Sequence, residues 1–351
     1  MKYVIWPLLV LLILLRYFTK PDVYQNGDSV RITVTVFSDP TSYGNYQTFT
    51  AAGIKVTLPA FPEVYYGDRV TLEGVVDGGK LKEAKLLSAE SSHGFGSTVR
   101  KKIVDFYQEA LPQPMSGLVA GITLGSKRSL TVGFWEKVKE AGVAHVVVAS
   151  GTNITFVISF IFGITAFYLP RRKSMLIVIL SIILYLFLSG FEAPLIRAAI
   201  MAFVTFWSQT EGRLVSAWRN LFLTAGVMLI VEPDWTGDLG FILSFVSTAS
   251  IMAFEKKIFG FLKSVPNIIR ESFSTSLAAQ IGVAPILFVT FGQFNPLSPF
   301  INALVLWIVP FIMILGALGG GFGLIFPLLG KLILYICYPL TWWFAEIVEI
   351  F

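Results

Sequence analysis

Charge is scarce in this chain, and cysteine and histidine are almost absent. Asp, Glu, Lys and Arg make up 14% of its 351 residues, against about a quarter in a soluble domain. A soluble globular chain is thereby excluded. The single cysteine, Cys337, rules out an internal disulfide and a multi-cysteine zinc or iron–sulfur centre. The two histidines, His93 and His145, lie far apart, so a His-rich metal cluster is not expected either. No metal, cofactor or catalytic residue is therefore assigned. What fills the chain is apolar: 55% of residues are hydrophobic and the mean hydropathy is +0.72. That is the composition of a membrane protein.

The first residues, MKYVIWPLLVLLILLRYF, begin like a signal peptide but meet no small-residue cleavage site. They read as an uncleaved anchor over 1–20. The apolar run is short against the roughly 20 residues of a span, and Arg16 eases this by snorkelling.

Residues 21–96 change character. SVRITVTV, AAGIKVTLPA and DRVTLEGVV alternate apolar and polar residues, and VVDGGKLKEAKLL carries a Gly-Gly hairpin turn. The pattern predicts a small β-barrel or sandwich of about five strands. From Pro21 to Thr98 six Lys/Arg face nine Asp/Glu, a net of −3, so the remainder of the chain carries +8.

Residues 97–142 form a bridge. STVRKKIVDFYQEAL sets Ile103, Phe106, Tyr107 and Ala110 on one helical face behind Arg100, Lys101 and Lys102. TVGFWEKVKEAG repeats the theme with Phe134, Trp135 and Val138. Short amphipathic helices with aromatic and basic residues suit the headgroup region, so membrane lipids are an expected partner. GITLGSKRS between them is not a phosphate loop. Three residues, not four, separate Gly121 and Gly125, and Ser126 precedes Lys127.

From 143 to 351 apolar segments recur near 143–169, 174–190, 194–209, 218–231, 239–254, 273–292, 299–318 and 322–345. Internal Pro and Gly predict broken or re-entrant helices. Loops alternate between basic (PRRK, TEGRLVSAWR) and acidic or uncharged (SGFEAP, EPDWTGD, FGQFNPLSP). If every segment spans, the positive-inside rule puts the N-terminus in the cytoplasm and the β domain outside.

Polar groups at membrane depth mark candidate functional positions, because a charge there costs a few kcal/mol. Glu192 and Arg197 flank Pro194 in GFEAPLIRAA, as an internal ion pair or a pathway lining. Asp238 precedes LGFILSF, where capping accounts for it. Gln280, with Gln293, Asn295 and Asn302, bonds helix to helix or lines a path. HVVVASGTNI places His145, Ser150, Gly151 and Asn153 within ten residues. In one continuous helix His145 shares a face with Thr152, not Ser150, so a Ser150–His145 nucleophile pair is badly aligned. A polar helix break at Ser150-Gly151 is the expected role, with structural packing as its rival.

LPQPMSGLVAGITLGSKRSLTVGFWEKVKEAGVAHVVVASGTNI resembles the start of the competence domain of the ComEC/Rec2 family of DNA-uptake channels. The likeness continues through GFEAPLIRAAIMAF, EPDWTGDLGFILSF and SLAAQIGVAPILFVTFGQFNPLSPFINALVLWIVP, four blocks in family order over about 200 residues. The resemblance implies an extracytoplasmic OB-fold domain before a polytopic competence domain. The fold class is then a polytopic α-helical membrane protein with a small extracytoplasmic OB-fold-like β-barrel. It implies passage of single-stranded DNA across the cytoplasmic membrane, with a DNA receptor, a separate nuclease and cytosolic DNA-handling proteins as partners. The metallo-β-lactamase-like domain of many members is expected to be missing here, and with it nuclease activity. Asn153 stands where the family pattern has a histidine, which removes a titrating group from that position.

DNA contact on an OB-type surface needs aromatic platforms and cations. Tyr43, Tyr46, Phe49, Tyr65 and Tyr66 are the candidate platforms; Arg100, Lys101, Lys102, Lys127 and Arg128 are the candidate cations. The domain's net −3 predicts weak, salt-sensitive binding. A DNA-translocating channel component is the leading expectation. A small-solute or lipid permease, and an intramembrane hydrolase built on Ser150 and His145, are the alternatives.

Overall fold

The computed structural model describes residues 5–19, 26–42, 44–51, 53–91, 94–210, 212, 215–263, 266–292 and 295–351. Tyr43, His93 and Gln293 lie outside the described residues. The chain divides into two compact units. One comprises 22–150, 185–191 and 305–351; the other comprises 1–21, 151–184 and 192–304.

The first of these opens with a sheet of β1 (Ser29–Thr35), β2 (Thr41–Ser42), β3 (Tyr46–Ala51), β4 (Ile54–Pro59), β5 (Arg69–Asp77) and β6 (Lys80–Glu90). Alternation places Val70, Leu72 and Val76 of β5 on a core with Ile32, Phe49, Val56 and Leu58. Gly78 and Gly79, both at positive φ, make the β5–β6 turn, as the Gly-Gly pair requires. The strand order is β1-β5-β6-β4-β3-β2, and only β4 and β6 run parallel. The expected closed barrel is not formed. Among the described residues β1 and β2 are the free edges of a mixed, six-stranded sheet. The sixth strand is the short β2, whose two residues give no alternation to read from sequence.

Helices Phe95–Ala110, Met115–Leu124, Val132–Glu140 and Ala144–Val147 follow, and Val309–Gly323 and Pro327–Ile350 complete this unit. The stripe Ile103, Phe106, Tyr107 and Ala110 is buried, and it packs on glycines of Val309–Gly323. A Cβ at Gly320 would lie 2.6 Å from Tyr107 Oη and 2.7 Å from Ile103 Cγ2, and one at Gly323 would enter the Phe106 ring. The Tyr107 hydroxyl donates to the Gly316 carbonyl at 2.8 Å, and burial raises its pKa. The amphipathic face thus meets protein. Phe134 and Val138 are buried as well, and Trp135 is half-buried.

The second unit is helical: Ile5–Thr19, Gly151–Tyr168, the first part of Arg171–Ser189, Ala193–Thr210, Ala217–Val231, Leu239–Phe261, Asn267–Phe291 and Ser298–Val305, with a 3-10 turn at Pro233–Gly237. Leu9 of the first helix fills the notch at Gly226 and Trp6 meets Phe222 edge-on at 6.4 Å. Leu239–Phe261 and Asn267–Phe291 approach closely at Gly282. There Ser250 Cβ is 2.7 Å from where a glycine Cβ would stand, and its Oγ donates to Ala278 O at 2.6 Å.

Among the described residues six helices are long and apolar enough to cross a membrane: Gly151–Tyr168, Arg171–Ser189, Leu239–Phe261, Arg270–Thr290, Ser298–Gly323 and Pro327–Ile350. The chain is read as a multi-pass membrane protein on that basis. Two of the eight expected segments do not qualify by these criteria. Ala217–Val231 has 15 residues, too short to cross unaided. Ala193–Thr210 falls outside the set; its sequence carries Arg197 and the polar end SQT.

Candidate functional site

Two clusters of polar side chains stand out, one in each unit. The sheet-bearing unit holds the first. Asp39 is nearly buried and forms an ion pair with Arg100 at 3.1 Å, their side chains 7% and 4% exposed. Its other oxygen accepts the Lys127 backbone N–H at 2.8 Å. Arg100 Nη1 donates to Leu124 O at 2.9 Å and Leu188 O at 2.5 Å, and its guanidinium lies 4.7 Å from the centre of the Tyr66 ring. The Tyr66 hydroxyl in turn donates to Phe187 O at 3.2 Å. Arg100 is therefore enclosed by protein contacts. The Arg100 side chain is buried and committed to these partners, while Tyr66 is half-buried. Burial raises the Tyr66 pKa, with Arg100 acting against it.

Beside this pair lies a partly exposed group. The Arg128 guanidinium stands 3.8 Å from the Tyr65 ring centre and Lys101 Nζ stands 4.6 Å from it. Glu63 ties them together, pairing with Arg128 and accepting from Tyr65 Oη at 2.9 Å. Arg128 also donates to Val64 O at 3.2 Å. Partial burial, then the bond to Glu63, raises the Tyr65 pKa. Of the sequence candidates, the structure brings together Tyr65, Lys101 and Arg128. Lys102 is exposed, Tyr46 is 44% exposed on β3, and Phe49 is a core residue. Glu63 and Asp39 carry no sequence signal, because Glu63 and Asp39 meet partners 65 and 61 positions away, respectively.

The polar stretch 145–153 is broken, as its composition predicts. Ala144–Val147 forms one helical turn, Val148 is extended at ψ 147°, and a new helix starts at Gly151. His145 is exposed; desolvation lowers its pKa, against a bond to the Gly142 backbone that raises it. Ser150 is half-buried and Asn153 is 1% exposed.

The helical unit holds the second cluster. Arg197 Nε donates to Ser244 Oγ at 2.5 Å, Nη1 lies 3.6 Å from Met201 Sδ, and the guanidinium is 5.8 Å from the Phe245 ring. A Cβ on Gly151 would stand 2.7 Å from Arg197 Nη2, so the glycine is what admits the arginine beside the start of helix Gly151–Tyr168. No carboxylate among the described residues lies in ion-pair range of Arg197, so the pairing with Glu192 does not hold it. Glu192 is half-buried.

Asp238 caps Leu239–Phe261, its Oδ1 accepting the Phe241 N–H at 2.7 Å. Gln280 Nε2 donates to Asn295 O at 2.8 Å, a helix-to-loop bond. Sequence reading missed the aromatic row beside Arg197. Trp235 stacks on Phe241 (6.4 Å, 18°), which meets Phe245 at 4.5 Å. The i, i+4 spacing of Phe241 and Phe245 was its available signal.

A family model described as "Competence protein" matches residues 122–351. The chain belongs to the Competence protein family. Among curated proteins, ComE operon protein 3 of Bacillus subtilis (strain 168) is 27% identical over 224 residues, covering 64% of this chain and 28% of that protein. Competence protein ComA of Neisseria gonorrhoeae is 24% identical over 216 residues, covering 57% of this chain and 30% of that protein. The matched region thus spans less than a third of either relative. No solved structure matches. The Competence region contains the 145–153 break, Glu192, Arg197, Asp238 and Gln280, together with Lys127 and Arg128. The sheet, Tyr65 and Lys101 precede it.

Proposed function

We propose that this Competence-family protein is a channel component that moves single-stranded DNA across the cytoplasmic membrane during DNA uptake. The observation that carries the reading beyond family membership is the Tyr65–Lys101–Arg128 group. It places a half-buried ring for a base and two cations for phosphates together on one partly exposed surface. The six apolar helices support a multi-pass placement. The basic loops support a cytoplasmic N-terminus with the sheet outside, as an OB-like DNA-contacting domain. A DNA receptor on the outer side, a separate nuclease and cytosolic strand-handling proteins would be its partners. The polar residues His145, Ser150, Gly151, Asn153, Glu192, Asp238 and Gln280 are proposed to line or brace the route.

The test is binding of a fluorescent oligothymidylate to the purified chain in nanodiscs of zwitterionic lipid, across a salt series. Wild-type protein should bind the single strand with log K falling as log salt rises. Joint Lys101→Gln and Arg128→Gln replacement should lower that slope by about 1.4, since each single-strand phosphate contact contributes about 0.7. Absence of salt-dependent binding by well-folded wild type would sink the reading.

Glu63 competes for the same cations. Glu63→Gln should tighten oligonucleotide binding about threefold or more by removing a carboxylate from phosphate-binding ground. The partly exposed pair is worth only about 0–1 kcal/mol, so the thermal midpoint should barely move. Unchanged or weaker binding would contradict the placement of the strand at Tyr65.

A further inference from the structure

Arg197 is a cation with no carboxylate in ion-pair range among the described residues. It sits in APLIRAAIMAFVTFWSQT, a helix with no acidic residue. Its contacts are a serine hydroxyl, a thioether and a phenyl ring, all neutral. An arginine in an apolar helix normally pairs with an acid or serves a pathway, because an uncompensated charge at membrane depth is costly. Local structure also holds it in place. Ser244 fixes Nε, Gly151 leaves room for Nη2, and Phe245 supports one side of the guanidinium. Lysine has neither the fork nor the planar face to reproduce this.

The neighbours indicate what the missing partner is. Phe245 and Trp235 are each half-exposed at the two ends of a row whose middle ring, Phe241, is buried. A lipid phosphate needs a cation beside an acyl-lined surface. An unpaired nucleic-acid strand needs phosphate ligands beside aromatic faces on which its bases stack. Arg197, 5.8 Å from the Phe245 ring at one end of that row, has the second arrangement.

We infer that Arg197 is a strand-contact residue of the membrane domain: it binds a backbone phosphate of single-stranded DNA while Phe245 and Trp235 face the adjoining bases. This rests on the function proposed above and adds a second contact site to it, in the helical unit. No covalent step is involved.

The experiment uses the full chain in nanodiscs and the same labelled oligothymidylate. Arg197→Gln should weaken binding about tenfold and lower the salt slope by about 0.7. Arg197→Lys should keep the slope, because the charge remains, while losing affinity. Trp235→Ala should weaken binding without changing the slope. Each variant is first shown to be monodisperse with a wild-type thermal midpoint. Should Arg197→Gln fail that check, the Arg197→Lys and Trp235→Ala pair carries the test. Equal slopes and affinities for wild type and Arg197→Gln would overturn the inference and leave the proposed function standing. Failure of the wild type to bind would overturn the function itself. Titration with phosphatidylglycerol supplies the other arm. If Arg197→Gln loses retained anionic lipid while its oligonucleotide binding is unchanged, the guanidinium serves a lipid phosphate and the inference is wrong.

Discussion

Asp39→Ala should be the most destabilising single change in the sheet-bearing unit. It leaves Arg100 buried and uncompensated, which typically costs about 3–5 kcal/mol, and it strips the Lys127 N–H of its acceptor. The expected readout is a lower thermal midpoint in lipid or detergent, with new protease cleavage between the sheet and the helices. Replacing both partners, Asp39→Leu with Arg100→Leu, should recover part of the loss. Recovery cannot be complete, because Leu124 O and Leu188 O then lose their donor. A midpoint unchanged by Asp39→Ala would show that this pair does not join the two parts of the unit.

The second large effect lies in the glycine-bearing helix. Gly320→Ala puts a methyl 2.6 Å from Tyr107 Oη and 2.7 Å from Ile103 Cγ2, and Gly323→Ala puts one into the Phe106 ring. Overpacking of this kind costs about 1–3 kcal/mol, and the Tyr107–Gly316 hydrogen bond is strained with it. Gly321 is the internal control. It neighbours Gly320, is exposed, and has nothing within 4 Å of its added Cβ. Gly321→Ala should therefore be neutral or gain up to about 1 kcal/mol from helix propensity. Equal thermal midpoints for Gly320→Ala and Gly321→Ala would contradict the close approach of helix Phe95–Ala110.

These effects show what the sequence made legible. Period-two alternation and Gly78-Gly79 located β5 and β6, because a strand's side-chain direction is fixed by local geometry. Period-3.6 spacing located the Ile103–Phe106–Tyr107–Ala110 face for the same reason. What that face would meet was not local. Amphipathicity reads the same whether the partner is lipid or a glycine-rich helix more than 200 positions away. The sheet's openness escaped for a related reason, since alternation defines strands but not which edges close.

Residue roles followed the same division. Asp238 capping was readable within four residues. Arg100 was grouped with Lys101 as a surface cation because they are adjacent, yet helical geometry sends one to Asp39 and the other to the Tyr65 ring. The HVVVASGTNI stretch was rightly read as a break. The role of its glycine, leaving room for Arg197, depends on a residue 46 positions later that no local pattern connects to it.

The most direct test of the account is entry of labelled DNA into competent cells carrying this gene, compared with the same cells after its deletion. Surface-bound label and label protected from added nuclease are measured separately. The account predicts that deletion leaves surface binding intact and abolishes protected single-stranded label, with the complementing wild-type chain restoring it. Protected label at the wild-type level in the deletion strain would contradict it.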